Sequence, residues 1–162
     1  MASLFGTSGI RGKVDGELSV KSCLEIGKAI GSTMLPVSIM CLASDTRISR
    51  DAMKSAISSG LLSVGINVID LGILPTPALA LLTAELGLDA GIMVTASHNP
   101  PPYNGIKLFN RDSIGFNTEQ EKEIESRYLS RQFRSVSWRE WIPSRARESR
   151  TNCRKGLATF RR

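Results

Sequence analysis

A chain of 162 residues is long enough for one domain with a closed core and too short for two of ordinary size. Its 41% hydrophobic and 22% charged content is that of a soluble globular domain; no apolar run reaches the roughly 18 residues of a membrane span, and the N-terminus shows no secretory signal pattern. The net charge of +6 comes entirely from residues 139–162, with 8 Lys/Arg against 2 Asp/Glu, since residues 1–138 balance 13 against 13, which weakens the argument for a nucleic-acid binder and leaves it to the basic tail alone.

The first predicted element is a helix from Val20 to Ile30. Ser19 is its N-cap, and Val20, Cys23, Leu24, Gly27 and Ile30 recur at helical spacing. The apolar run Val37 to Ala43 has the length and continuity of a buried parallel strand. Ser49 caps a second helix, with Asp51 in the first turn and Gly65 at the stop. Asn67 to Leu71 is the next strand. The helix from Thr76 to Leu86 carries Pro77 in its first turn, where a missing N–H costs nothing, and Gly87 closes it. Ala90 to Thr95 is another buried strand, running into the turn-rich loop SHNPPPYNG. Ile106 to Phe109 and Ser113 to Phe116 are expected to pair around Asn110-Arg111-Asp112. A last helix from Thr118 to Leu129 is expected to open on a capping box of Thr118 and Glu121.

This alternation predicts an α/β fold, a three-layer α/β/α sandwich with a mixed, mostly parallel sheet, over residues 1–138. Residues 139–162 fit neither period and form a basic tail, read as solvated and disordered or as out-of-frame sequence. It lacks the aromatic interleaving of a nucleic-acid stacking platform. Three cysteines, Cys23, Cys41 and Cys153, make no CxxC pair and leave one over, which suits reduced thiols in the cytoplasm.

In an open α/β sheet, ligands bind outside the carboxyl ends of the strands. Three polar loops fall there: Ser44 to Arg50, Leu74 to Thr76 and Ser97 to Gly105. The glycine-punctuated loop Gly6-Thr7-Ser8-Gly9-Ile10-Arg11-Gly12 can join them and approach a ligand closely. Ser97 ends a buried strand at the ligand face, but a neutral serine is a poor nucleophile without help. His98, the single histidine, points away from Ser97 on extended backbone, so no Ser–His dyad follows, and there is no G-x-S-x-G. Arg11, Arg47 and Lys107 each sit beside a strand end, where an arginine fork matches phosphate oxygens and a lysine can move a proton; each is equally readable as surface charge.

FGTSGIRG, Asp45-Thr46-Arg47, Pro75-Thr76-Pro77 and, above all, TASHNPPPYNGIKLF resemble the α-D-phosphohexomutases over residues 3 to 137. That superfamily includes phosphoglucomutases, phosphomannomutases and phosphoglucosamine mutases. The resemblance implies that Ser97 is the serine phosphorylated in catalysis, that Lys107 serves acid/base transfer and that Arg11 stands beside the phosphoserine. Thr7, Ser8, His98, Asn99 and Arg47 then belong to the loops around phosphate and substrate. It implies a hexose phosphate substrate, a hexose 1,6-bisphosphate intermediate and Mg²⁺ bound through phosphorylated Ser97. Members have four domains in series, the second bringing an aspartate-rich metal loop, the third a sugar loop and the fourth a phosphate loop. No D-x-D-x-D occurs here. The expectation is therefore an isomerase by family that is inactive as this chain alone, completed by a separately encoded remainder, or else a non-catalytic remnant that binds sugar phosphates.

Overall fold

The computed structural model describes residues 3–7 and 9–137. The tail expected at 139–162 lies outside the described residues, as does Ser8. The elements run β1 (Phe5–Gly6), β2 (Gly9–Lys13), α1 (Val20–Thr33), β3 (Ile39–Ser44), α2 (Arg50–Ser63), β4 (Asn67–Ile73), α3 (Thr76–Glu85), β5 (Ala90–Val94), β6 (Tyr103–Asn110) and α4 (Thr118–Ser130). One six-stranded sheet has the order β1-β2-β6-β5-β3-β4. β4, β3 and β5 are parallel, while β6, β2 and β1 add on antiparallel. The α/β/α sandwich is the one expected. Its antiparallel share is larger because the segment around the glycine-punctuated loop expected at Gly6 to Gly12 supplies two strands, β1 and β2.

The sheet divides the core in two. Ile26 and Ile30 of α1, Ile57 and Leu61 of α2 and Ile124 of α4 pack with Met40, Leu42, Ile92 and Ile106 on one face. On the other face Leu79 of α3 packs with Cys41, Ala43, Leu88 and Met93. α1 and α2 cross on glycines: a Cβ on Gly27 would sit 2.4 Å from the Ile57 carbonyl oxygen, so backbone touches backbone.

Local signals explain the boundaries, with three corrections. The first is that Ser49 stands before α2 without a side-chain cap bond, its Oγ accepting from Asn104 Nδ2 at 2.9 Å instead. Ser19 caps α1 by accepting from the Ser22 N–H at 3.2 Å. Gly65 and Gly87 adopt the positive φ that stops a helix, at 81° and 62°. The capping box of α4 is shifted by one residue from the expected pair. Asn117 accepts from the Gln120 N–H, and the Gln120 side chain accepts from the Asn117 N–H. Asn ranks above Thr as a cap residue, and the Asn117 side-chain oxygen reaches the N3 N–H. Residues 113–116 do not form a strand; they meet β6 only at a Phe109–Gly115 bridge, since Ser113 turns with φ 69° and breaks the extended run.

The segment after α4 folds back across the carboxyl ends of α1 and α2. Arg134 donates from Nη1 to Met34 O at 2.6 Å and from Nε and Nη2 to Val64 O at 2.8 and 2.5 Å. Neither helix has a basic residue in its own last turn. Arg134 therefore caps both from outside, meeting carbonyls that have no helical partner.

Candidate functional site

β6 runs antiparallel to β5, so it begins at the end where β3 and β5 finish. The 45–49 and 95–102 loops meet there, with Asp45 N donating to Val94 O at 3.1 Å. β2 lies on the far side of β6, and its Arg11 stands opposite Gly105. Gly9 starts that strand with φ 93°, and a Cβ there would lie 2.4 Å from Ile106 O. Glycine lets β2 lie this close to β6, which carries Arg11 to the loop end.

Ser97 is exposed and left-handed, with φ 56°. A non-glycine residue holds that conformation only when its surroundings enforce it. Its N–H donates to Thr95 Oγ1 at 2.9 Å, and the Thr95 hydroxyl donates to Asp45 Oδ2 at 2.7 Å. Its carbonyl accepts from Arg47 Nη2 at 3.0 Å. Arg47 also donates to the carbonyls of Asn99, Pro100 and Tyr103 and, through Nε, to Asp45.

Arg11 Nη1 donates to Asn99 Oδ1 at 3.0 Å, while its Nε is buried without a partner among the described residues. Arg11 lines a cleft of about 370 Å³ with Leu4, Thr7, Gly9 and the exposed His98. Thr7 and Gly9 also line an adjoining cavity of about 260 Å³ that holds Lys107, Phe5, Phe109, Phe116 and Glu121. Burial and the nearby Glu125 push the Glu121 carboxyl above its ordinary value. Arg11, Thr7 and His98 thus line one cleft and Lys107 the other, with Thr7 and Gly9 common to both, and Asn99 meets Arg11. Arg47 stands apart, since its donors go to protein oxygens.

Two residues went unassigned in the sequence reading, Asp45 and Thr95. The signal was an Asp and a Thr each two positions before Arg47 and Ser97, the spacing of side-chain turns onto the backbone. A divalent cation does not fit the residues present. Among the described residues no group of three or more His, Cys, Asp or Glu could hold one, and Asp45 is already taken by Arg47 and Thr95. Phosphorylated Ser97 would itself supply oxygen ligands. No helix of the described residues is long and apolar enough to cross a membrane.

Residues 2–135 match the family model described as phosphoglucomutase/phosphomannomutase, alpha/beta/alpha domain I. A probable phosphoglucosamine mutase of Methanobrevibacter smithii is 43% identical over 135 residues, covering 83% of this chain and 30% of that protein. A phosphoglucosamine/phosphogalactosamine mutase of Sulfurisphaera tokodaii is 41% identical over 150 residues, covering 93% and 33%. A solved phosphoglucomutase/phosphomannomutase family protein from Burkholderia thailandensis superposes with a TM-score of 0.74 at 31% identity, over 85% of this chain and 32% of that one. The chain spans about a third of the length of these relatives.

Proposed function

The chain belongs to the phosphoglucomutase/phosphomannomutase family, and on that premise we propose that it is the phosphoserine domain of a sugar-phosphate mutase. Family members are mutases, which are isomerases. The observation that carries the reading is the exposed, left-handed Ser97 at the end of β5, beside a cleft lined by Arg11. Beyond the serine that carries the group, phosphoryl transfer depends mainly on positioning and on neutralising charge.

In the proposed reaction the phosphoryl group on Ser97 Oγ passes to the free hydroxyl of a hexose phosphate. The serine O–P bond breaks and a sugar O–P bond forms, while the sugar hydroxyl's proton passes by way of Lys107 to the leaving Ser97 Oγ. The product is a hexose 1,6-bisphosphate, whose other phosphate then returns to Ser97 as the Ser97 hydroxyl proton passes back by way of Lys107 to the sugar oxygen. Arg11 offsets the charge, and Thr7, His98 and Asn99 shape the surrounding loops. The sugar- and metal-binding groups come from outside the described residues, from a later segment or a separate chain. A reducing, cytoplasmic setting agrees with Cys23 being a buried free thiol.

A second reading is that this chain alone binds sugar phosphates without turnover, favoured by finding no metal-holding carboxylate group among the described residues. Two measurements separate the readings. Incubation with glucose 1,6-bisphosphate and Mg²⁺, followed by mass-spectrometric mapping, should place a phosphoryl group on Ser97; stoichiometric label elsewhere with none on Ser97 rejects the assignment. A coupled assay with glucose, mannose and glucosamine 1-phosphates should show no turnover for the chain alone. A rate of about 1 per second or more, abolished by Ser97→Ala, would reject the second reading.

A further inference from the structure

We propose that Asp45, Arg47 and Thr95 form a positioning device that holds Ser97 in its left-handed conformation, and that Arg47 acts through the loop backbone and not on a phosphate. The proposal rests on Ser97 being the phosphoryl carrier. A guanidinium has five N–H donors in a flat fork. In this site all five are taken. Nε meets Asp45 Oδ2 at 3.2 Å, Nη1 meets Pro100 O and Tyr103 O at 3.0 Å each, and Nη2 meets Ser97 O at 3.0 Å and Asn99 O at 2.7 Å. No donor remains for a phosphate oxygen.

Those four carbonyls span the whole loop, from the residue that carries the chemistry to the first residue of β6. Three consecutive prolines, Pro100, Pro101 and Pro102, fix φ along the return limb. One planar group therefore sets both limbs at once. Asp45 orients that group from behind. Its Oδ1 accepts the Arg47 N–H at 3.0 Å, and its Oδ2 accepts both Arg47 Nε and the Thr95 hydroxyl. With its proton committed to Asp45, the Thr95 oxygen has only lone pairs to offer, and one receives the Ser97 N–H. Ser97 is thus held at its N–H by Thr95 and at its C=O by Arg47, with Asp45 binding both holders. That double hold leaves Oγ free and sets its direction.

A misplacement of roughly 1 Å at a reacting group costs on the order of 10²-fold in rate. The test uses the full chain and the variants Arg47→Lys, Thr95→Val and Thr95→Ser. The initial rate of Ser97 labelling from glucose 1,6-bisphosphate with Mg²⁺ is followed by mass spectrometry, beside amide hydrogen exchange. Arg47→Lys keeps the charge but cannot reach five acceptors, so labelling should fall on the order of 10²-fold. Thr95→Val should fall likewise, and Thr95→Ser, which keeps the hydroxyl, should label close to the wild-type rate. The Asn99 and Tyr103 amides, bonded to Ala96 O and Pro100 O, should lose protection in Arg47→Lys while β3 and β5 amides keep theirs. Wild-type labelling by Arg47→Lys would overturn the proposal, because charge alone would then suffice. Loss of β3 and β5 protection in step with the loop would overturn it too, as a general loss of structure. A wild-type chain that takes no label on Ser97 overturns the phosphoserine reading instead, and loop exchange in Arg47→Lys then decides by itself whether the clamp exists.

Discussion

Gly60→Ala should destabilise the domain, although helix propensity alone says the reverse. Alanine is favoured over glycine inside a helix by about 1 kcal/mol. Gly60 lies in α2 where it crosses α1, and an added Cβ would sit 2.2 Å from Leu24 O, 2.9 Å from Lys28 N and 3.1 Å from Gly27 C. These are backbone atoms of the facing helix, so no side chain can swing aside. The helices must part by about 1 Å to restore ordinary contact distance. That loosens the largest contact in the core, where Ile26, Ile30, Ile57 and Leu61 are fully buried. Overpacking of this kind costs about 1–3 kcal/mol and occasionally more. With backbone on both sides the upper end applies, and after the propensity gain a net loss of about 2 kcal/mol remains. For a domain of this size that lowers Tm by roughly 6–10 °C. Thermal and urea unfolding followed by circular dichroism give the number. Gly16→Ala is the control, in an exposed turn where the new Cβ meets nothing closer than 3.6 Å; it should stay within about 0.5 kcal/mol. A Gly60→Ala protein as stable as wild type would refute the reasoning.

Arg134→Ala strips the outside cap from α1 and α2 and should cost about 2 kcal/mol in urea unfolding, because Val64 O and Met34 O lose their charged donor; an unchanged midpoint would show that water replaces it freely. Ser97→Gly should stabilise the fold by about 1 kcal/mol by releasing a left-handed serine, and mass spectrometry should find no phosphoryl label at position 97; a loss of stability would mean that φ 56° carries no strain there. Burial pushes the Cys23 thiol from its ordinary 9.0 up to about 12. Above pH 9 the unfolded chain then releases a proton that the folded chain keeps, so stability should fall as pH rises from about 9 toward 12. Cys23→Ala should flatten that slope, and an equal slope in both proteins would rule out Cys23 as its source.

Most of the fold was legible because its signals are local. Ser19, Gly65 and Gly87 each act within a few residues of themselves, by hydrogen bond or by positive φ, and each lies where its chemistry implies. The misses are of another kind. β1 and β2 hold FG and GIRGK, which have neither alternation nor length. β2 is a strand because β6 presents an edge to it, with Ile10 opposite Ile106 and Lys13 opposite Tyr103, and β1 in turn pairs on β2. Residues 113–116 failed the other way. Their composition suits a strand, yet the tight turn at Ser113, whose hydroxyl donates to Ala80 O, spends the geometry that pairing needs.

The site shows the same division between chemistry carried by one residue and chemistry carried by an arrangement. Ser97 and Arg11 could be nominated from residue type and place at a strand end. Arg47 could be nominated the same way, and nothing in the sequence distinguishes its role from that of Arg11. Both are arginines in short polar surroundings, and both reach the 97–103 loop. The difference is how many donors are already spent. Arg11 places one nitrogen on Asn99 and keeps a buried Nε unpaired beside an open cleft, and a buried unpaired donor is costly unless something arrives to meet it. Arg47 has met all its acceptors within the chain. Four of those five acceptors are backbone carbonyls, which every residue possesses, so no choice of side chain at 97, 99, 100 or 103 could announce them. Only the return of β6 beside β5 brings these carbonyls within reach of one guanidinium, and that return is set by five strand pairings between residues 90–94 and 106–110. An arginine free to bind an anion and an arginine that fixes a nucleophile are therefore told apart by satisfied hydrogen bonds, a property of the folded loop that residue identity does not contain.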